Sequence, residues 1–322
     1  MDLTNIINQI IEGHDIDAAT AEALAQQATT EDLLAGANAL RIHFLGRHFD
    51  TCSIMNARSG HCSEDCAWCS QSAHHKCNIE IYPFVSQAQA LPHALKNHSQ
   101  GVERFSLVTS GRRMASQELH QAAELYGAIA ARCDIRLCAS MGLMSRQGLQ
   151  ELFDAGVRRY HCNIESAPSF FPTLCTTHTI EQKLQTIEWA KEVGMEICSG
   201  GIIGMGETMN QRIEMALLLR KIGVDSIPLN ILNPIPGTPL ASQAPLSQEE
   251  MLRTFAIFRL INARVHIRFA GGRAAISGMI DRALEGGISG AIVGDMLTTL
   301  GASVEQDVEL IARHSLDSPL KK

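Results

Sequence analysis

With 322 residues, 45% of them hydrophobic and 19% charged, the chain is long enough for two domains or one large α/β barrel and too apolar for the disordered and collagen-like classes. A formal net charge of −7 without a basic stripe argues against a grip on nucleic acid or anionic lipid, and no apolar stretch reaches the ~18 residues of a membrane helix. The opening MDLTNIINQIIEGHD carries acids where a secretory signal carries Lys or Arg, so a cytoplasmic address is expected. In that reducing compartment the ten cysteines, at 52, 62, 66, 69, 77, 133, 138, 162, 175 and 198, read as metal ligands, catalytic groups or small buried hydrophobes before disulfides.

Residues 1–48 read as a helical extension, on the spacing of Leu33, Ala37, Leu40 and Phe44 after a Thr30 cap and before Gly46. From Asp50 onward, strands are expected at 50–57, 103–110, 134–140, 157–164, 195–201, 226–232, 265–270 and 290–295. Helical periods fall between them, near 86–98, 116–132, 145–155, 180–193, 208–222, 247–262 and 274–285. This alternation predicts an α/β fold, a (β/α)8 TIM-type barrel over 49–322 with a C-terminal helix, the whole forming a single domain behind the 1–48 extension. The first connection, 58–85, is loop-like and holds three closely spaced cysteines.

Alternation also gives several strands a polar face: Arg136, Cys138 and Ser140; His161, Asn163 and Glu165; Glu196 and Cys198; Asn230; His266 and Arg268. Without partners these groups would cost roughly 1–3 kcal/mol each in a lumen that barrels ordinarily fill with Val, Ile and Leu. A cofactor or substrate in the lumen is therefore expected. A one-residue register error in a strand would turn its set outward instead.

The strongest local signal is GHCSEDCAWCSQS at 60–72, where Cys62, Cys66 and Cys69 form C-x3-C-x2-C. Soft thiolates on so short a loop select zinc or an iron–sulfur cluster. Spacing alone leaves both open. One of His61, His74, His75 and Cys77 would complete a zinc knuckle, whereas three ligands and an open iron suit a 4Fe-4S cluster. The loop follows the first strand, at the C-terminal mouth where barrels build their sites.

From Asp50 on, the segments NARSGHCSEDCAWCSQSAHHK, RYHCNIES, TTHT, CSGGIIGMGET, SIPLNIL, GTPL and IRFAGGR resemble the biotin synthase family of radical S-adenosylmethionine (SAM) enzymes. The resemblance implies that Cys62, Cys66 and Cys69 hold a 4Fe-4S cluster whose open iron is chelated by SAM. It implies a 5′-deoxyadenosyl radical that takes hydrogen from dethiobiotin, an electron donor such as flavodoxin or ferredoxin, and a homodimer. By the same match Trp68 lies by the adenine, Gly200, Gly201, Gly204 and Gly206 belong to the SAM pocket, and Asn163 and Glu165 meet the ribose. Lys183 then faces the methionyl carboxylate, and Asn163 and Asn230 reach the substrate. Each has a plainer reading: a packing tryptophan, a turn of glycines, a solvated helix lysine, a strand-end cap.

The family's auxiliary 2Fe-2S cluster sits on three cysteines and an arginine. Cys138, Cys198 and Arg268 match three of these positions, but Ser106 stands at the remaining one. Serine is a harder ligand than thiolate, so the expectation is an auxiliary cluster of altered ligation, 2Fe-2S or larger, with Cys175 as the replacement ligand. Cys162 and Cys77 are weaker candidates. Cys52 and Cys133 read as buried small hydrophobes, with Cys52 still able to face the lumen, and the plainer reading of Arg268 is an ion pair with Glu196. A radical SAM enzyme with another product, as in hydrogenase maturation, and a non-catalytic metal protein remain the competing readings.

Overall fold

The computed structural model describes residues 2–294 and 304–321. Three helices, α1 (Leu3–Ile11), α2 (Ala18–Gln27) and α3 (Thr30–Leu45), precede the first strand, and Gly46 ends α3 at a φ of 62°. The cap of α3 is Thr29 rather than Thr30: its hydroxyl accepts from Asp32 N, freeing Thr30 to bond Glu249. The strands are β1 (Asp50–Arg58), β2 (Arg104–Thr109), β3 (Arg136–Ser140), β4 (Val157–His161), β5 (Glu196–Cys198), β6 (Gly201–Ile203), β7 (Ser226–Ile231), β8 (His266–Phe269) and β9 (Gly290–Ile292). The connecting helices are α4 (Gln87–Ser99), α5 (Ser116–Ala130), α6 (Arg146–Asp154), α7 (Ile180–Glu192), α8 (Met209–Ile222), α9 (Gln248–Ile261) and α10 (Ile280–Glu285); α11 (Val304–Arg313) comes last. The strand expected over 290–295 ends at Ile292, and Asp295 lies outside the described residues.

All strand pairings are parallel, and the ring closes through β1 with β9 and β5 with β7. The strand expected at 195–201 is broken at Ser199 and Gly200 into β5 and β6, so nine segments make eight staves. Helices cover the outside because a parallel sheet buries both faces. Capping boxes start two of them: Thr179 with Gln182 on α7, and Thr208 with Gln211 on α8. The N-terminal helices pack on the outer side, α3 against α9 and α10, and α2 against α8 and α9. Arg253 pins them by donating to the Ala25 and Ala28 carbonyls at 2.7 and 3.1 Å.

The stagger of the staves decides which side chains meet in the lumen. Cys52 stands level with Arg104 and, through it, Arg136, two residues short of Cys138. Cys138 stands level with Arg159 and Glu196, two short of Cys198; Cys198 with Ser226 and His266, two short of Arg268. Arg268 stands level with Gly290 and Asp50, two short of Cys52, so the ring returns with a stagger of eight residues. That is the shear of a TIM-type barrel, in which alternate staves contribute the side chains of one lumen layer.

Candidate active site

One cavity of about 420 Å³ runs down the barrel axis from the cysteine loop to the floor of the lumen. Cys62, Cys66, Trp68 and Cys69 line its mouth, and Cys52, Ser106, Cys138, Arg159, Cys198 and Arg268 its floor. The expected strand parity holds for Ser140, His161, Asn163, Glu165 and Asn230, which also face this space, but not for Glu196 or for His266, whose ring lies on Ser289. Nor does Arg136 face it, because it lies at the exposed lower rim on Glu103 at 2.8 Å.

At the mouth, local hydrogen bonds shape the loop. Cys62 N donates to Gln71 O at 3.0 Å, Cys69 N to Cys66 O at 2.9 Å, and Ala67 N to Leu174 O at 2.9 Å. Asp65 clamps the facing turn, accepting from Thr176 N at 2.9 Å and from the Thr177 hydroxyl at 3.0 Å. Burial opposes ionisation of Asp65, but the bonds from Thr176 outweigh it and hold the carboxyl well below the usual range. Glu64 meets His178 Nδ1 at 2.7 Å, both buried. The rings of His74 and His75 are used on backbone oxygens, those of Ser63 at 3.0 Å and Cys69 at 2.8 Å.

Cys175 belongs to this mouth and not to the floor. Its Sγ accepts from Cys66 Sγ at 3.8 Å and lies 3.2 Å from His178 Nδ1, in a group with those two residues tight enough for a single ion. The expectation that it joins Cys138 and Cys198 is therefore corrected: the turn after β4 folds back toward the first loop instead of down the lumen. Trp68 packs edge-on to Phe171 and also borders the cavity, so the packing and ligand-facing readings hold together. Lys183 is buried in the first turn of α7 rather than solvated. Burial alone would lower its pKa, but Glu165 and the thiols of Cys162 and Cys66 overcompensate and raise it.

Midway, Glu165 adopts a left-handed φ of 69°, uncommon for a residue with a side chain. It is held by its backbone: Glu165 N donates to Gly200 O at 3.1 Å, and Ile202 N to Glu165 O at 2.8 Å. Asn163 Oδ1 accepts from Gly200 N at 2.9 Å while its Nδ2 donates to Glu165 at 3.3 Å. Asn230 Nδ2 donates to Gly201 O at 3.1 Å and its Oδ1 accepts from Gly271 N at 2.8 Å. The break between β5 and β6 is thus stitched to the segment just after β4 and to β7.

The glycines serve that stitching. A Cβ on Gly200 would meet Pro228 O at 2.0 Å, and one on Gly201 would meet Glu165 O at 2.5 Å. Neither they nor Gly204 and Gly206 line the cavity; Ile202 does. Gly204 N and Met205 N are both taken by the Glu207 carboxylate at 2.7 Å, which Arg212 in turn holds at 2.6 Å. For Gly200 and Gly201 the close approach in this structure is to backbone, whereas Gly204 and Gly206 face the side chains of Leu246 and Phe170.

The floor is a charged ring. Arg268 pairs with Asp50, not with Glu196; Arg104 lies 3.7 Å from both Asp50 and Glu196, and Arg159 reaches Glu196 at 2.8 Å. Burial would raise the Asp50 pKa, but Arg268, His266 and the two other arginines bring it to about 2. The Cys198 thiol, raised by burial, is brought down to about 7 by His161, whose Nδ1 is 3.3 Å away, and by Arg268 and Arg159. Among the described residues, Ser106 Oγ, Arg159 Nη1 and Arg268 Nε are buried with no hydrogen-bond partner. Leaving such groups unmatched costs about 1–3 kcal/mol each, more when charged. Soft thiols with unspent cationic donors fit an anionic iron–sulfur cluster. Arg159, Arg104 and Asp50 were not anticipated, although Arg159 shares the strand parity of His161 and was findable on that signal.

The barrel, with three cysteines of one loop lining its C-terminal mouth, is that of a radical SAM enzyme, and the radical SAM superfamily model matches residues 57–219. A second model, the Biotin and Thiamin Synthesis associated domain, matches residues 228–317. The chain belongs to the biotin synthase family. It is 53% identical over 309 residues to the biotin synthase of Porphyromonas gingivalis, covering 96% of this chain and 94% of that one. The Parabacteroides distasonis biotin synthase is also 53% identical, over 299 residues that cover 92% and 91% of the two chains. That of Akkermansia muciniphila is 42% identical over 322 residues, all of both. Among solved structures, methylornithine synthase superposes with a TM-score of 0.84 at 15% identity, covering 97% of each chain. The FeFe-hydrogenase maturase HydG from Carboxydothermus hydrogenoformans gives 0.82 at 18%, covering 98% of this chain and 78% of that one. These two share the fold.

Proposed function

We propose that the cavity carries out sulfur insertion into dethiobiotin as two stations with the substrate between them. Cys62, Cys66 and Cys69 would hold a 4Fe-4S cluster that takes SAM, and Cys138, Cys198 and Arg268 an auxiliary iron–sulfur cluster. The observation that carries this reading is the single cavity bounded by both thiol sets. When bound, the clusters and SAM supply a hydrogen-abstracting 5′-deoxyadenosyl radical and the sulfur to be inserted. The chain's own share is charge, orientation and exclusion of water.

Lys183 meets the SAM carboxylate as a buried point charge; it lacks the fork an arginine would offer. Asn163 and Glu165, locked to each other and to Gly200, orient the ribose, and Trp68 borders the adenine. Asn230 spends one N–H and one lone pair on the fold, which leaves one donor and one acceptor for a ureido group. The 49–322 barrel acts as one unit, since its ring takes staves from both family-matched segments, and the 1–48 extension joins it by packing α2 and α3 on α8 and α9.

A flavodoxin- or ferredoxin-type electron donor, a cytoplasmic address and a homodimer complete the proposal; among the described residues no helix is long and apolar enough to cross a membrane. Anaerobic reconstitution with dethiobiotin, SAM and a reductant tests it. Biotin and 5′-deoxyadenosine are expected together. Deoxyadenosine without biotin would reject the substrate, and a reduced-cluster EPR signal unmoved by SAM would reject the open iron.

A further inference from the structure

We propose that Cys52 is the third thiolate of the auxiliary cluster, taking the place that Ser106 cannot fill. The inference rests on reading the floor as a cluster site and adds a ligand to it. Its basis is the barrel stagger. Taking alternate staves and advancing two residues at each step gives the circuit Cys52, Cys138, Cys198, Arg268 and back to Cys52. In a barrel of this shear such a circuit is one complete lumen layer. The same walk from Ser106 gives His161, Pro228 and Ile292, the layer above. Three thiols and one guanidinium thus face one another at a single height, and Ser106 looks down on them.

Two independent observations point to an occupant. Cys52, Cys138, Cys198 and Arg268 are all buried and all line the same cavity wall. Among the described residues, Arg159 Nη1 and Arg268 Nε are buried without partners within this floor, and the three arginines face only Asp50 and Glu196 as carboxylates. Anionic sulfur ligands would absorb that charge. The three thiols do not gather within 4.8 Å of one another as Cys66, Cys175 and His178 do. One zinc would hold its sulfurs about 3.8 Å apart, given Zn–S bonds near 2.3 Å in a tetrahedron; a wider ring suits several irons. Of the four other cysteines, Cys175 is committed to Cys66 and Cys133 to the Ile129 carbonyl at 3.8 Å, Cys77 lies in the first connection, and Cys162 lines the cavity beyond the end of β4, outside the circuit.

The test uses the full chain with Cys62, Cys66 and Cys69 changed to Ala, so that all iron and sulfide belongs to the floor. After anaerobic reconstitution, iron, acid-labile sulfide and the Mössbauer spectrum are compared with Cys52→Ser, Ser106→Ala, Cys138→Ser and Cys175→Ala added singly, each checked by circular dichroism. The proposal expects at least a tenfold loss of iron and sulfide in C52S and C138S, and retention in S106A and C175A. Should C52S not fold, C52A is read in its place. The double variant C52S/S106C, which returns a thiol from the layer above, is expected to regain a cluster. Unchanged iron and spectrum in C52S, or loss in S106A with retention in C52S, would overturn the role of Cys52. No iron in the parent would instead sink the auxiliary site itself.

Discussion

At the mouth of the cavity three thiols come from eight consecutive residues, 62–69, and hydrogen bonds to the 174–178 turn hold their loop in place. At the floor the thiols come from residues 52, 138 and 198 on three separate strands, and only the register of the closed ring brings them level. The mouth is a local construction that a single loop could lose without disturbing the barrel. The floor is a property of the whole barrel, so a change there is felt as stability as well as chemistry. Substitutions at the two ends should therefore separate cleanly into binding effects and folding effects.

The largest expected effect is at the mouth. C62A/C66A/C69A should reduce 5′-deoxyadenosine formation from SAM to that of a protein-free control, while the apo chain keeps its urea midpoint. A matching fall in that midpoint would break the distinction.

Next in size is the floor variant Asp50→Asn. It leaves Arg268 and Arg104 facing each other with one carboxylate fewer, and breaking a buried pair from one side typically costs roughly 3–5 kcal/mol. Urea unfolding of the apo protein should show that loss, and an unchanged midpoint would mean that water already serves these arginines.

A smaller, selective effect is expected from Asp65→Ala. It removes the clamp on Thr176 and Thr177. About 1.4 kcal/mol, a tenfold rise in KM for SAM, is expected with little change in unfolding. If D65A instead destabilised the chain as much as D50N, the mouth would not be local.

The smallest effect lies away from both ends. Asp281 on α10 accepts from His314 and faces Arg313, both at 2.7 Å, and these contacts hold its carboxyl below the ordinary value of 3.8. A carboxylate lowered in the folded state contributes stability above its unfolded pKa and loses it as pH falls through the folded one. Melting temperatures of wild type and D281N should therefore differ above pH 4 and converge below it, by no more than about 1 °C because the pair is exposed.

Much of the barrel was legible because period-two and period-3.6 patterns alternate without interruption, and because each polar strand face had a partner of the same parity. Helix ends were mostly within a residue or two; Thr29 took the cap from Thr30 because both hydroxyls could serve and tertiary contact with Glu249 claimed the second. The break at Ser199 and Gly200 was not legible. It depends on how closely Pro228 O approaches from a strand about thirty residues downstream. The glycines after β5 looked like a ligand cradle for the same reason: small residues permit close approach, and only the neighbours decide whether backbone or cofactor approaches.

By itself the sequence determined the fold class, the iron–sulfur loop and the family, since each is written in neighbouring residues or in a short repeating period. The tertiary structure decided which distant cysteines share a site. It moved Cys175 to the mouth, because the turn after β4 folds back on the first loop, and it placed Cys52 in one lumen layer with Cys138, Cys198 and Arg268. The physical reason is the stagger of the staves: a side chain's height in the lumen depends on every strand pairing around the ring, and no window of the chain contains that sum.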